Sequence, residues 1–419
     1  MALPLTLPTI QNWSCHNCSG CCKQHLIEIT DAEHDRIKKQ NWSLADGVPN
    51  DQPVVVSHGG MPWNRRHRLS HTADGSCVFL NEDGLCRIHA KFGEAAKPLA
   101  CRIYPYAFHP AGKRITVSLR FSCPSVVANL GTPVDKNRDE IKSIARLVVP
   151  DGVDEMPPPN VNRSQRVDWR DFMKFVTTLH DMIELGKGTV IERLYRALVL
   201  VRLIDQAKYD LVNGARLTEF LDIIREASLD EEIPAAKEPA KITRLQFRQL
   251  VALYARKDTV ADLRGGWLNR WKLLRAAVRF ASGSGKIPQL QDCFGEATFD
   301  QLEAPFGNLP EGADEVLNRY LSVKIQGLHF CGAAYHNVPL VEGFQSLALI
   351  VPSICWIARW LAVTNNRATL DLSDIHQAIT IADHHQGYSP ALGSLSARKR
   401  VRYMDELNEI TNLALWYSR

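Results

Sequence analysis

From Asp168 onward, apolar residues recur at helical spacing, as in Phe172, Phe175, Val176 and Leu179, or Leu217, Phe220, Leu221 and Ile224. The pattern predicts helices over about 168–185, 189–212, 216–227, 242–257, 268–281, 313–330, 341–363, 372–386 and 397–417. Breaks fall at the stretches IPAAKEPA, ASGSGKIPQ and EAPFGNLPEG, and neither a fixed-period repeat nor a low-complexity tract is visible. This part of the chain reads as all-α.

The first 130 residues carry a different pattern. LIEITDAEHDRIKKQ predicts a short strand, an N-cap at Thr30 or Asp31, and a helix with acidic residues in its first turn and Lys38 and Lys39 near its end. Val54–Val56 and the alternating RITVSLRF read as strands. An Asp83-Gly84 turn between VFL and CRI predicts a hairpin with Cys77 on one arm and Cys86 on the other. Cys86 and Cys101 bracket a short helical segment ended by Pro98. A further short helix is expected over about 136–147, and the proline triplet of PDGVDEMPPPN reads as a linker or crossing segment. The expected organisation is a small α+β cysteine-rich region over 1–130, a connection over 131–165, and an all-helical region over 166–419.

The most membrane-like run, Gly343 to Val363, is interrupted by Gln345, Ser346, Pro352 and Arg359, which predicts a buried bundle helix and no membrane span. MALPLTLPTIQNW lacks a basic n-region, so no secretory signal is read and a cytoplasmic location is expected. Hydrophobic residues at 45% and charged residues at 23% exclude a disordered or multi-span chain. The net charge of +4 arises before residue 126, where 14 Lys and Arg face 10 Asp and Glu. That surplus is too small for a nucleic-acid footprint, so the basic stretch NRRHRLSH (Arg65, Arg66, His67, Arg68, His71) reads as a solvated loop ahead of an anion dock.

Cysteine changes the picture most. Cys15, Cys18, Cys21, Cys22, Cys77, Cys86, Cys101 and Cys123 all precede residue 125, while the remaining 294 residues hold Cys293, Cys331 and Cys355, read as buried core thiols. In a reducing compartment such clustered thiols are metal ligands ahead of disulfides. The C-x2-C-x2-C run wraps a loop around one thiophilic centre, with Gly20 giving the backbone room to fold back. Cys123-Pro124 resembles the end of a ferredoxin ligand run. These features favour an iron-sulfur cluster over zinc for one centre, although both metals accept an all-thiolate shell and spacing alone does not choose. One grouping takes Cys15, Cys18 and Cys21 with Cys123, and Cys22 with Cys77, Cys86 and Cys101, on the reasoning that adjacent side chains diverge.

The order CxxCxxCC, G-x-C-x-F-L, C-x-I, A-C-R-x-Y-P-Y and F-x-C-P closely resembles the family of CxxCxxCC cysteine-cluster, zinc- or iron-chelating domains, with all eight cysteines in order. That resemblance implies metal binding by the eight thiols. The overall arrangement, a cysteine cluster ahead of helices, is also similar to that of flagellin lysine-N-methylase. It implies S-adenosylmethionine as a cofactor and a protein lysine as substrate, with VLNRYLSVKI, helix 341–363 and IADHHQGY as counterparts of helices there.

Other motifs carry less. No GxGxxG and no C-x3-C-x2-C loop is present, and Ser284-Gly285-Lys286 is followed by Ile287 where a phosphate loop needs Ser or Thr. Asp383, His384 and His385, with His376 two turns earlier, read as a polar helix end with one histidine packed inward, ahead of a second metal or acid/base site. Three functions follow: a metal-binding protein whose helices take a partner or substrate, a lysine-methylase-like enzyme, or a zinc-stabilised interaction module without catalysis.

Overall fold

The computed structural model describes residues 3–49, 51–58, 65–257 and 266–419. Its first third consists of two small sheets and short helices. Strands β1 (Leu5–Thr6), β6 (Ile115–Leu119) and β5 (Tyr106–Pro110) form one sheet in the order β1-β6-β5, with β1 parallel and β5 antiparallel to β6. Strands β2 (Glu28–Ile29), β4 (Arg66–Leu69) and β3 (Val55–His58) form a second, antiparallel sheet in the order β2-β4-β3.

The expected strand and helix after the cysteine loop are present. Helix α2 (Asp31–Lys39) starts at Thr30 with a complete capping box: the Thr30 hydroxyl accepts from the Glu33 N–H, and the Glu33 carboxylate accepts from the Thr30 N–H. The predicted basic loop departs from expectation. Arg66–Leu69 is the central strand of the second sheet, and Arg68 is buried, because alternate positions of a central strand must face a core. The predicted hairpin is reduced to a tight turn, in which Asn81 and Leu85 hydrogen-bond at 2.9 Å and Leu80 bridges Cys86. Cys86 then caps helix α3 (Arg87–Phe92), so the second arm coils instead of extending.

Two short helices complete the cysteine-bearing framework, α1 (Gly20–Gln24) and α4 (Leu99–Ile103), followed by α5 (Pro124–Val127), which has Pro124 in its first turn where no N–H is needed. Helix α6 is Arg138–Val148. The rest is helical: α7 (Trp169–Glu184), α8 (Val190–Gln206), α9 (Gly214–Leu229), α10 (Lys241–Ala255), α11 (Gly266–Ser282), α12 (Phe299–Glu303), α13 (Ala313–Gln326), α14 (Leu340–Thr364), α15 (Leu372–His385), α16 (Leu395–Glu406) and α17 (Glu409–Tyr417). The helix expected over 397–417 is two helices, because Asn408 adopts the left-handed conformation (φ 57°) and breaks the ladder.

Helix α14 is long and apolar enough to cross a membrane, yet its side chains are buried inside the bundle almost from end to end. Arg359 at its C-terminal half is fully buried. Its guanidinium donates to the carbonyls of Leu302 and Ala304 at 2.9 Å, Tyr417 at 3.0 Å and Arg419 at 2.8 Å, which collects the ends of α12 and α17 onto α14.

The apolar interior comprises two clusters. A large one joins the helices to the first sheet, through Leu7, Tyr106, Val117, Leu119 and Phe121, and includes Cys123. A small one, centred on Ile29, Ile37, Leu69, Val78, Phe79 and Ile88, underlies the second sheet; it contains Cys77, with Cys22 and Cys86 packed against it. A core of that size supplies little stability by itself, and small scaffolds of this kind are commonly stapled by a metal.

Candidate metal centre

The cysteine loop is shaped by backbone more than by side chains. Asn17 and Ser19 adopt left-handed conformations (φ 54° and 60°), which turns the chain sharply into α1. A Cβ on Gly20 would lie 3.2 Å from Pro124 Cδ and 3.5 Å from Cys18 Sγ, so glycine lets the loop settle onto the Cys123-Pro124 corner. Gly84, at φ +79°, approaches from the other side: a Cβ there would be 2.4 Å from the Asn17 carbonyl oxygen. The turn between Cys77 and Cys86 is thereby pressed against the CxxC loop.

Five thiols share one neighbourhood. Cys21 Sγ and Cys22 Sγ are 3.9 Å apart, and the Cys77 N–H donates to the Cys22 carbonyl at 2.9 Å. Negative charge on Cys21, Cys77 or Cys101 is felt at Cys22, and charge on Cys77, Cys86 or Cys21 is felt at Cys101. Adjacent side chains therefore do not diverge here. Both sulfurs lie on the single turn of α1, 3.9 Å apart, so Cys21 joins Cys22, Cys77, Cys86 and Cys101, where the sequence grouping had assigned it to Cys15, Cys18 and Cys123. Cys18 and Cys123 form a second neighbourhood, since charge on Cys18 raises the Cys123 thiol, and Cys15 is exposed with its Sγ 3.7 Å from Asn17 Oδ1.

The thiols are tuned unequally. Cys21 is lowered to about 6 by the hydrogen bond from Cys22, aided by the nearby Lys97 ammonium, whereas donating that bond drives Cys22 far upward. Burial pushes Cys77 up to about 12 and raises Cys101 and Cys123. Such sulfurs become thiolates when a cation replaces their protons. Among the described residues no three His, Cys, Asp or Glu side chains stand in a metal-holding arrangement. The donor set itself is soft and nearly all sulfur, which suits zinc or an iron-sulfur cluster and not magnesium or calcium.

Helix α4, which carries Cys101, is held by α2: the Glu33 carboxylate that closes the capping box also accepts from the Leu99 N–H at 2.6 Å, and Arg36 donates to the Lys97 carbonyl at 3.2 Å.

One group of residues behind the cysteines was not anticipated. Lys324 on α13 and Asp383 on α15 form a fully buried ion pair at 2.6 Å. Asp383 also accepts from Tyr320 Oη at 3.2 Å and from the Ser122 N–H at 3.0 Å, while Lys324 donates to the Leu119 carbonyl at 3.2 Å and lies 3.1 Å from His329 Nδ1. A lysine at an apolar position of VLNRYLSVKI was the available signal. Of the group Asp383, His384, His385 and His376, Asp383 belongs to this network, His384 stacks on His25 with ring centroids 4.8 Å apart, and His385 Nε2 meets the Arg256 carbonyl. Cys331 and Cys355 are buried as expected, and Cys293 is half-buried.

Residues 14–124 match the family model CxxCxxCC, described as "Putative zinc- or iron-chelating domain". Flagellar biosynthetic protein FliU of Salmonella muenchen is 26% identical over 137 residues, covering 31% of this chain and 80% of that protein. Lysine-N-methylases of Salmonella typhimurium strain LT2 and Salmonella choleraesuis strain SC-B67 are each 25% identical over 120 residues, 27% of this chain and 29% of their own length. This chain therefore matches less than a third of either methylase. No solved structure matches significantly.

Proposed function

We propose that the first 125 residues hold a thiolate-bound metal centre, an iron-sulfur cluster or zinc, with Cys15, Cys18, Cys21, Cys22, Cys77, Cys86, Cys101 and Cys123 as the ligand pool, and that the helices take a partner or substrate. The observation that carries this reading is the match of residues 14–124 to a zinc- or iron-chelating domain, with Cys21 and Cys22 sulfurs 3.9 Å apart beside a core too small to hold their surroundings by itself. Once bound, the metal would cross-link α1, the Cys77–Cys86 turn and α4. Anaerobic purification followed by metal and sulfide analysis tests it. Iron with acid-labile sulfide and visible colour selects the cluster, stoichiometric zinc without colour selects zinc, and a stable folded protein free of both overturns the proposal.

A second reading, protein lysine methylation with S-adenosylmethionine as donor, is supported by the similarity to the two lysine-N-methylases. The helical region would then present the protein substrate. Calorimetric titration of the metal-loaded protein with S-adenosylmethionine tests it, and an absence of heat would count against this reading while leaving the metal centre standing. A cytoplasmic location accords with free thiols at all eight positions.

A further inference from the structure

At the C-terminal end of α1 lies a cleft of about 170 Å³ lined by Gln24, Lys257, Gln377, Thr380, His384 and His385 together with Arg256, Gln291, Cys293 and Ile381. No carboxylate lines it among the described residues. Lys257 makes no ion pair among the described residues, yet its charge reaches inward far enough to act on His25, His71 and His384. Two polar atoms in the lining, Gln24 Oε1 and His384 Nδ1, are buried without a hydrogen-bond partner, and His25 Nε2 and His71 Nδ1 behind them are in the same condition. Buried polar atoms without partners are costly, and two of them in the lining of one cavity is an arrangement expected of a ligand site.

We propose that this cleft binds the oxyanion group of a small molecule, a carboxylate or a phosphate, against Lys257, with the His384 ring N–H supplying the shorter contact. The lining fits that chemistry for three reasons. It offers positive charge from Lys257 with no carboxylate in the lining among the described residues. Its histidine is neutral, held down to about 3 by burial first and by His385, Arg120 and Lys257 after that, so it can donate one ring N–H without adding a second full cation. Its volume matches a group of a few heavy atoms and not a peptide or nucleic acid. Gln24 closes the same short helix that carries Cys21 and Cys22, so an occupant would touch the element that bears the proposed ligands without touching any of the eight clustered thiols.

The test titrates the full-length, metal-loaded protein separately with inorganic phosphate and with acetate, by calorimetry and by following the His384 ring resonances. Saturable one-to-one binding of at least one anion is expected, with the His384 titration moving upward on binding, because a nearby anion favours the imidazolium. Lys257→Gln removes the lining's lysine charge, and Gln377→Glu adds a carboxylate at the exposed rim without touching the core. Each should weaken binding by about tenfold or more, at unchanged metal content. Lys286→Gln, whose lysine is paired with Glu296 at 2.7 Å elsewhere on the surface, should leave it unaltered. Absence of binding by both anions, or binding that Lys257→Gln and Gln377→Glu leave intact, overturns the proposal; neither result bears on whether the thiols hold metal.

Discussion

The Asp383 carboxylate, at the end of α15, accepts a hydrogen bond from the Ser122 N–H at 3.0 Å, one residue before Cys123. With Lys324 on its other oxygen at 2.6 Å, Asp383 carries the helical bundle's grip on the Cys123-Pro124 corner.

Both members of that ion pair are fully buried, so removing one leaves the other charged and unpaired. Asp383→Leu or Lys324→Met alone should cost about 3–5 kcal/mol in chemical denaturation, whereas the double substitution should recover part of the loss, the remainder reflecting the Ser122 N–H, Tyr320 hydroxyl and Leu119 carbonyl left without their partners. Additive losses in the double variant would show that the two charges do not act as a pair.

Stability should rise with pH between about 3 and 6.5. His109 and His384 are both lowered to about 3 by burial, so below pH 6.5 the unfolded chain binds protons that the native state refuses, and acidification favours unfolding. Each contributes a slope of up to about 1.4 kcal/mol per pH unit inside that window and nothing above it. Urea midpoints measured from pH 4 to 8 check this. His25 and His329, also lowered by burial, add in the same direction.

Cys21→Ser should release most of the metal and melt the small core under the second sheet, because α1 and the Cys77–Cys86 turn would lose their cross-link. Cys331→Ser, at a buried thiol far along the chain, should lower stability without changing metal content. Metal stoichiometry and hydrogen exchange over residues 14–124 distinguish the two outcomes.

Glu33→Ala removes three acceptor contacts at once: the return half of the Thr30 capping box, the bond to Thr30 Oγ1 and the bond to the Leu99 N–H. A loss of about 1–2 kcal/mol is expected, with faster exchange in both α2 and α4. Exchange confined to α2 would mean that the Leu99 contact holds nothing.

Asn408→Gly should be tolerated, while Asn408→Val should cost about 1–2 kcal/mol in thermal or urea melts, since a β-branched residue resists the left-handed turn between α16 and α17.

Much of this was legible beforehand for a physical reason. Helical periodicity is local, so the bundle helices could be read from spacing, as could the Thr30 cap and the strand before Cys123. Most of the failures involve a partner distant in sequence, and one a local backbone angle. Arg66–Leu69 looks like a basic loop until strands on both sides make it central. Asn408 resembles any polar helix residue until its φ is known. Cys21 joins Cys22 because a single helical turn faces both sulfurs toward chain some 50 to 80 residues away. The Lys324–Asp383 pair needs two helices to meet and has no spacing of its own.

Arg359 has a consequence for how α14 is to be understood. By length and hydropathy that segment could be mistaken for a bilayer-crossing rod, but its guanidinium is matched to carbonyls from α12 and α17 that lipid cannot imitate. The arginine works as an address label: it gives this greasy stretch carbonyl partners that the bundle supplies and lipid does not. Arg359→Leu would strip the label, leaving Gln345, Ser346 and Pro352 as the interruptions that set the stretch apart from a membrane anchor.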